Sequence, residues 1–133
     1  DTAEGERTRI MYLGSKTLSP LGALRHYQKT FAALGEVEEI YTCKHPECFK
    51  NLGKDFVWRQ SNHIPHELGG NAYLLPPGSN GFKNQVYWHG KVKTASAEYV
   101  ISLYSAIMHM WSSPVERIQD RPLIHLEIVK QEI

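Results

Sequence analysis

The residues with most chemical potential gather between Cys43 and Glu67. Cys43 and Cys48 are the only cysteines, with four residues between them in Cys43-Lys-His-Pro-Glu-Cys48, and His63-Ile-Pro-His66-Glu67 follows. Three states are open to the thiols. They pair in an oxidising compartment, they stay reduced, or they join His45 and His63 or His66 as a tetrahedral zinc set. A metal held by His45, His63, His66 and Glu67 would give a small metal-dependent hydrolase. The spacing disfavours it. Cys-x4-Cys is looser than a usual ligand knuckle, and residues three apart with Pro65 between them need not aim at one point outside a helix. The helical metalloprotease order His-Glu-x-x-His is not present. Seven histidines in 133 residues also make a chance cluster easy. The expectation is no metal and no cofactor.

Other catalytic signatures fare no better. Asn62 to Asn71 faintly resembles the ββα-metal finger of HNH nucleases. However, Asn71-Ala-Tyr-Leu-Leu75 runs into Pro76-Pro77, which leaves too little room for the finger's helix. Gly78-Ser-Asn-Gly81 lacks the spacing and the Lys-Ser of a phosphate loop, and no Gly-x-Ser-x-Gly elbow occurs. No catalytic residue is assigned. Aromatic residues beside bases offer a different chemistry. Phe56 and Trp58 lie near Lys54 and Arg59, and Tyr87 and Trp88 near Lys91 and Lys93. Phe56, Trp58, Tyr87 and Trp88 are the candidate binding surface, a stacking platform for sugars or single strands. Core packing competes for the same rings.

These residues need elements to position them. Thr8, Ile10 and Tyr12 alternate with Arg7, Arg9 and Met11, the period of a strand. Ser19 suits an N-cap, Pro20 a first helical position and Gly35 a left-handed C-cap. Between them Leu21, Leu24, Tyr27, Phe31 and Leu34 mark one apolar helical face. Glu36–Cys43 is expected to be a strand. His45 to Asn84 is dense in Gly, Pro and Asn and is expected to be an irregular loop, with short regular pieces at Phe56–Arg59 and Ala72–Leu75. Gln85–Thr94 and Glu98–Ile107 flank Ala95-Ser-Ala97 as an antiparallel hairpin. Pro122 opens a last strand in which Ile124, Leu126 and Ile128 alternate with His125 and Glu127. The pattern predicts an α+β domain over residues 1–133: β-α-β, the loop, then an antiparallel β-β-β segment, with one main helix packed on a small sheet.

At 133 residues with 41% hydrophobic content the chain can bury one core. A formal net charge of +1 gives no grip for bulk nucleic acid. The longest apolar run, near Tyr99–Met110, is interrupted by Ser102, Ser105 and His109, so no transmembrane segment is expected. The first residue is Asp1, as in a processed chain that has lost a leader or neighbouring domains.

Several stretches taken in order resemble a known family. They are Gly5-Glu-Arg-Thr-Arg-Ile-Met-Tyr-Leu13, Leu24-Arg-His-Tyr-Gln28, Leu34-Gly35, and Tyr41-Thr-Cys43 leading to Cys48. Tyr87-Trp-His-Gly-Lys-Val92, Glu98-Tyr-Val-Ile-Ser-Leu-Tyr104 and Leu123–Val129 complete the set. The family is the uncharacterised periplasmic domain of proteobacterial outer-membrane proteins that is often followed by an OmpA-like peptidoglycan-binding domain. The resemblance covers most of the chain except the middle loop. It implies a periplasmic, outer-membrane-associated location and supports a Cys43–Cys48 disulfide, and it brings no active site. The expected function is a non-enzymatic assembly or binding module. Its partners would be other envelope proteins or flanking domains of the same protein, contacted through the sheet edges and the long loop. The hydrolase is one alternative. A peptidoglycan- or carbohydrate-binding module is the other.

Overall fold

The structure, a computed structural model, describes residues 5–15, 17–44, 47–48, 82–108 and 121–132. Its elements are β1 (Glu6–Leu13), α1 (Pro20–Leu34), β2 (Glu36–Lys44), β3 (Phe82–Lys93), β4 (Ala97–Met108) and β5 (Pro122–Glu132). The expected short pieces at Phe56–Arg59 and Ala72–Leu75 lie outside the described residues.

The α+β class is corrected. The described residues form a mostly β unit, one antiparallel five-stranded sheet in the order β1-β5-β4-β3-β2 with a single helix. Two features outweigh the helix. β3, β4 and β5 run for 12, 12 and 11 residues, so the sheet is not small. The helix-linked strands β1 and β2 also do not pair with each other. Three strands separate them, and they form the two edges.

Local chemistry sets the helix start. Ser19 has extended backbone and its hydroxyl accepts from the Gly22 N–H at 2.9 Å, while Pro20 occupies a position whose N–H would have no helical partner. At the far end Gly35 is not left-handed; its backbone is extended. Glycine is needed there for space, because a Cβ would run into the carbonyl of Lys93 where β2 leaves the helix beside β3. Leu34 also departs from expectation. It is 61% exposed, in the last helical turn beside the start of β2, whereas Ala23, Leu24 and Phe31 are buried.

The α1 helix lies over β3 and β4, with lighter contact to β2 and β5. The core there joins Ala23, Leu24 and Phe31 to Val86, Trp88, Val92, Ile101, Leu103, Ile124 and Leu126. Trp88 stands at its middle. Its ring centroid is 5.4 Å from that of Phe31, and its Nε1 donates to Glu39 Oε1 at 2.9 Å. The indole also lies over Gly90, two residues on along the same face, where a Cβ would come within 2.5 Å of the ring.

Two irregularities shape β2 and β3. Register slips between Glu39 and Tyr41, making Ile40 an extra residue, and between Lys83 and Val86. In the second, Asn84 takes φ 54°, a left-handed conformation that asparagine tolerates. The β3–β4 turn closes with Thr94 N–H donating to the Ala97 carbonyl, and the Thr94 hydroxyl accepts from Ala97 N–H. At the other side Arg121 donates to the carbonyls of Gly14 and Leu13, fastening the end of β1 beside the start of β5.

Cys43 and Cys48 form a disulfide at the end of β2, with Cα atoms 5.2 Å apart. Among the described residues no helix is long and apolar enough to cross a membrane.

Gly90→Ala is expected to lower stability by about 1–3 kcal/mol, since the added methyl must displace Trp88 or the Glu38 carbonyl. Chemical denaturation checks it. Removing the disulfide by Cys43→Ser with Cys48→Ser is expected to cost roughly 2 kcal/mol in the same measurement, the loop-closure value for so short a ring.

Candidate functional site

The sequence-derived candidates separate in the structure. Phe56, Trp58, His45, His63, His66 and Glu67 lie outside the described residues. Tyr87 and Trp88 are adjacent on β3 and so point to opposite faces. Trp88 is 1% exposed and belongs to the core under α1, so its ring is not available as a stacking surface. Tyr87 stands on the other face, partly exposed, 6.1 Å from the Tyr41 ring. The two cysteine sulfurs are bonded to each other. Among the described residues no group of three or more His, Cys, Asp or Glu is placed to hold a metal.

The face opposite α1 carries a polar row that no local pattern announces. Register places Tyr41, His89, Ser102, Glu127 and Arg9 side by side across β2, β3, β4, β5 and β1. Glu127 accepts from Arg9 Nε at 3.0 Å and lies 3.6 Å from His125 Nε2. The Tyr87 hydroxyl is 3.2 Å from Ser102 Oγ. His89 Nδ1 is 3.1 Å from the Ile101 carbonyl and 3.3 Å from Ser102 Oγ. Only the strand order makes these residues neighbours. Their one sequence signal is that each takes a polar turn in an alternating strand.

Ser102 and His89 invite comparison with a nucleophile and its base, but Nδ1 is nearer the Ile101 carbonyl, at 3.1 Å, than Ser102 Oγ, at 3.3 Å. A ring that carries its proton on Nδ1 donates to that carbonyl. In that tautomer the nitrogen cannot also take the proton of Ser102. Apart from the Tyr41 hydroxyl, which is buried without a hydrogen-bond partner among the described residues, the row is a network of paired polar groups, suited to holding strands in register or to contacting a ligand.

The sheet edges form the other candidate surface. Every residue of β1 from Glu6 to Ile10 is exposed, and so is every residue of β2 from Glu36 to Ile40. The large apolar residues left at the surface fall mainly here: Ile10 and Tyr12 on β1, Val37 and Ile40 on β2, each about two-fifths exposed. Tyr12 is held by its hydroxyl, 2.6 Å from that of Tyr27 on α1.

Comparison with family models, with curated proteins and with solved structures finds no match for this chain.

Three tyrosines resist ionisation. Burial, and then the bond to Tyr27, raises Tyr12; burial raises Tyr104; and burial outweighs the opposing bond from Ser102 in raising Tyr87. A group whose folded pKa is raised adds stability below its unfolded value and loses it as pH climbs toward the folded one. Stability governed by these tyrosines should therefore hold up to about pH 10 and fall above it. Ultraviolet titration alongside circular dichroism checks this. The lagging tyrosine signal should appear together with unfolding.

Proposed function

We propose that this chain is a non-enzymatic binding module of a bacterial cell envelope, periplasmic and outer-membrane associated. In this role it joins other envelope proteins, or domains of its own protein, through the edges of its sheet. One observation carries the proposal. Among the described residues, the exposed large apolar residues lie mainly on the two strands that have a neighbour on one side only. Such a strand offers a row of backbone donors and acceptors to an added strand, with side-chain pockets supplying selectivity.

The compartment draws on two supports. The Cys43–Cys48 bond suits an oxidising space. The resemblance to the periplasmic domain family points the same way. In the tautomer that donates Nδ1–H to the Ile101 carbonyl, His89 is no base for Ser102, which supports the non-enzymatic side.

The test uses the full-length protein in its own cells, with a photo-crosslinking residue in place of Ile10, Ile40 or Lys29. Lys29 is an exposed position on α1, away from both edges. Crosslinks to envelope proteins or to another domain of the same chain are expected from Ile10 or Ile40 and not from Lys29. Residence in the cytoplasm with both thiols reactive, or equal crosslinking at all three positions, would contradict the proposal.

A further inference from the structure

We infer that the edge occupant is a second copy of this chain, its β2 laid parallel against β1 to extend the sheet head to tail. This rests on the edges being the binding surface and names what binds there.

The topology makes the pairing possible. Four antiparallel junctions separate β1 from β2, so the two edge strands run in the same direction. A copy displaced sideways along the sheet therefore brings its β2 beside β1 in parallel, with its helix on the same face.

The charges then match on the face opposite α1. There β1 carries Arg7 and Arg9, and β2 carries Glu36 and Glu38. Through the register of the intervening strands Arg7 is level with Glu38 of the added copy, while Arg9, which holds Glu127, is level with Tyr41. α1 lies mainly over β3 and β4, so an added copy can cover the α1 face of β1 that the described residues leave open.

The same charges act against the wrong pairings. Two β1 edges would set Arg7 and Arg9 near their equivalents, and two β2 edges would do the same with Glu36 and Glu38. Like charges in register oppose association. A contact between two different edges does not close on itself, so the product is an open-ended row of copies. The bulge at Ile40 limits the paired stretch to the first part of β2, which makes the contact concentration-dependent.

Sedimentation equilibrium of the oxidised protein at low salt tests it. The wild-type mass should rise with concentration and fall back with added salt. Arg7→Glu alone, and Glu36→Arg with Glu38→Arg alone, should each weaken association roughly tenfold or more. All three substituted residues are surface-exposed, and circular dichroism verifies that both variants fold. An equimolar mixture of the two variants should regain association, because the unaltered β2 of the first meets the unaltered β1 of the second. A wild-type protein that stays monomeric at every concentration overturns the inference, as does a mixture no more associated than its components. If the wild type is monomeric while Ile10 or Ile40 still crosslinks to other envelope proteins, self-pairing falls and the binding role stands. If both experiments fail, both fall.

Discussion

The placement of Trp88 is the constraint on which most of this structure depends. Its indole fills the centre of the core between Phe31 of α1 and the backbone of Gly90. Its N–H reaches outward to Glu39 on the edge strand. One side chain thus sets how closely the helix approaches β3 and ties β2 to the same point. A glycine two residues later is the geometric condition for this, since any larger residue would occupy the volume the ring needs. With Trp88 facing α1, alternation sends Tyr87 and His89 to the opposite face, where the polar row forms.

Much of the local structure was legible in the sequence. The helix start at Ser19-Pro20, the strand at Arg7 to Leu13 and the alternating strand after Pro122 all follow from patterns within a few residues. Strand order was not legible. The link from β1 through α1 to β2 suggests neighbouring strands, yet the three later strands pair between them. The fold class was misjudged for that reason, and the edges could not be named beforehand. Gly35 shows the same limit at a single residue: its position suggested a left-handed cap, whereas the real demand came from Lys93, far away in the chain.

The candidate sites were legible in part. Tyr87 and Trp88 read as one platform only if strand alternation is ignored, and the structure separates them by a whole sheet. Tyr41, His89, Ser102, Glu127 and Arg9 come from five strands, so their assembly depends on register that no short stretch encodes. The cysteine pair was readable because a bond between residues this near in sequence needs no knowledge of topology.

The account centres on β1 and β2 being the edges of the sheet that the described residues form, and amide hydrogen exchange followed by nuclear magnetic resonance in dilute solution tests this most directly. An edge strand bonds its neighbour through alternate residues only, whereas a central strand uses both sides. The account predicts protection that alternates along Glu6–Leu13 and Glu36–Lys44 and is continuous along the middle of Ala97–Met108 and Pro122–Glu132. Continuous protection along either edge strand in the dilute monomer would contradict it.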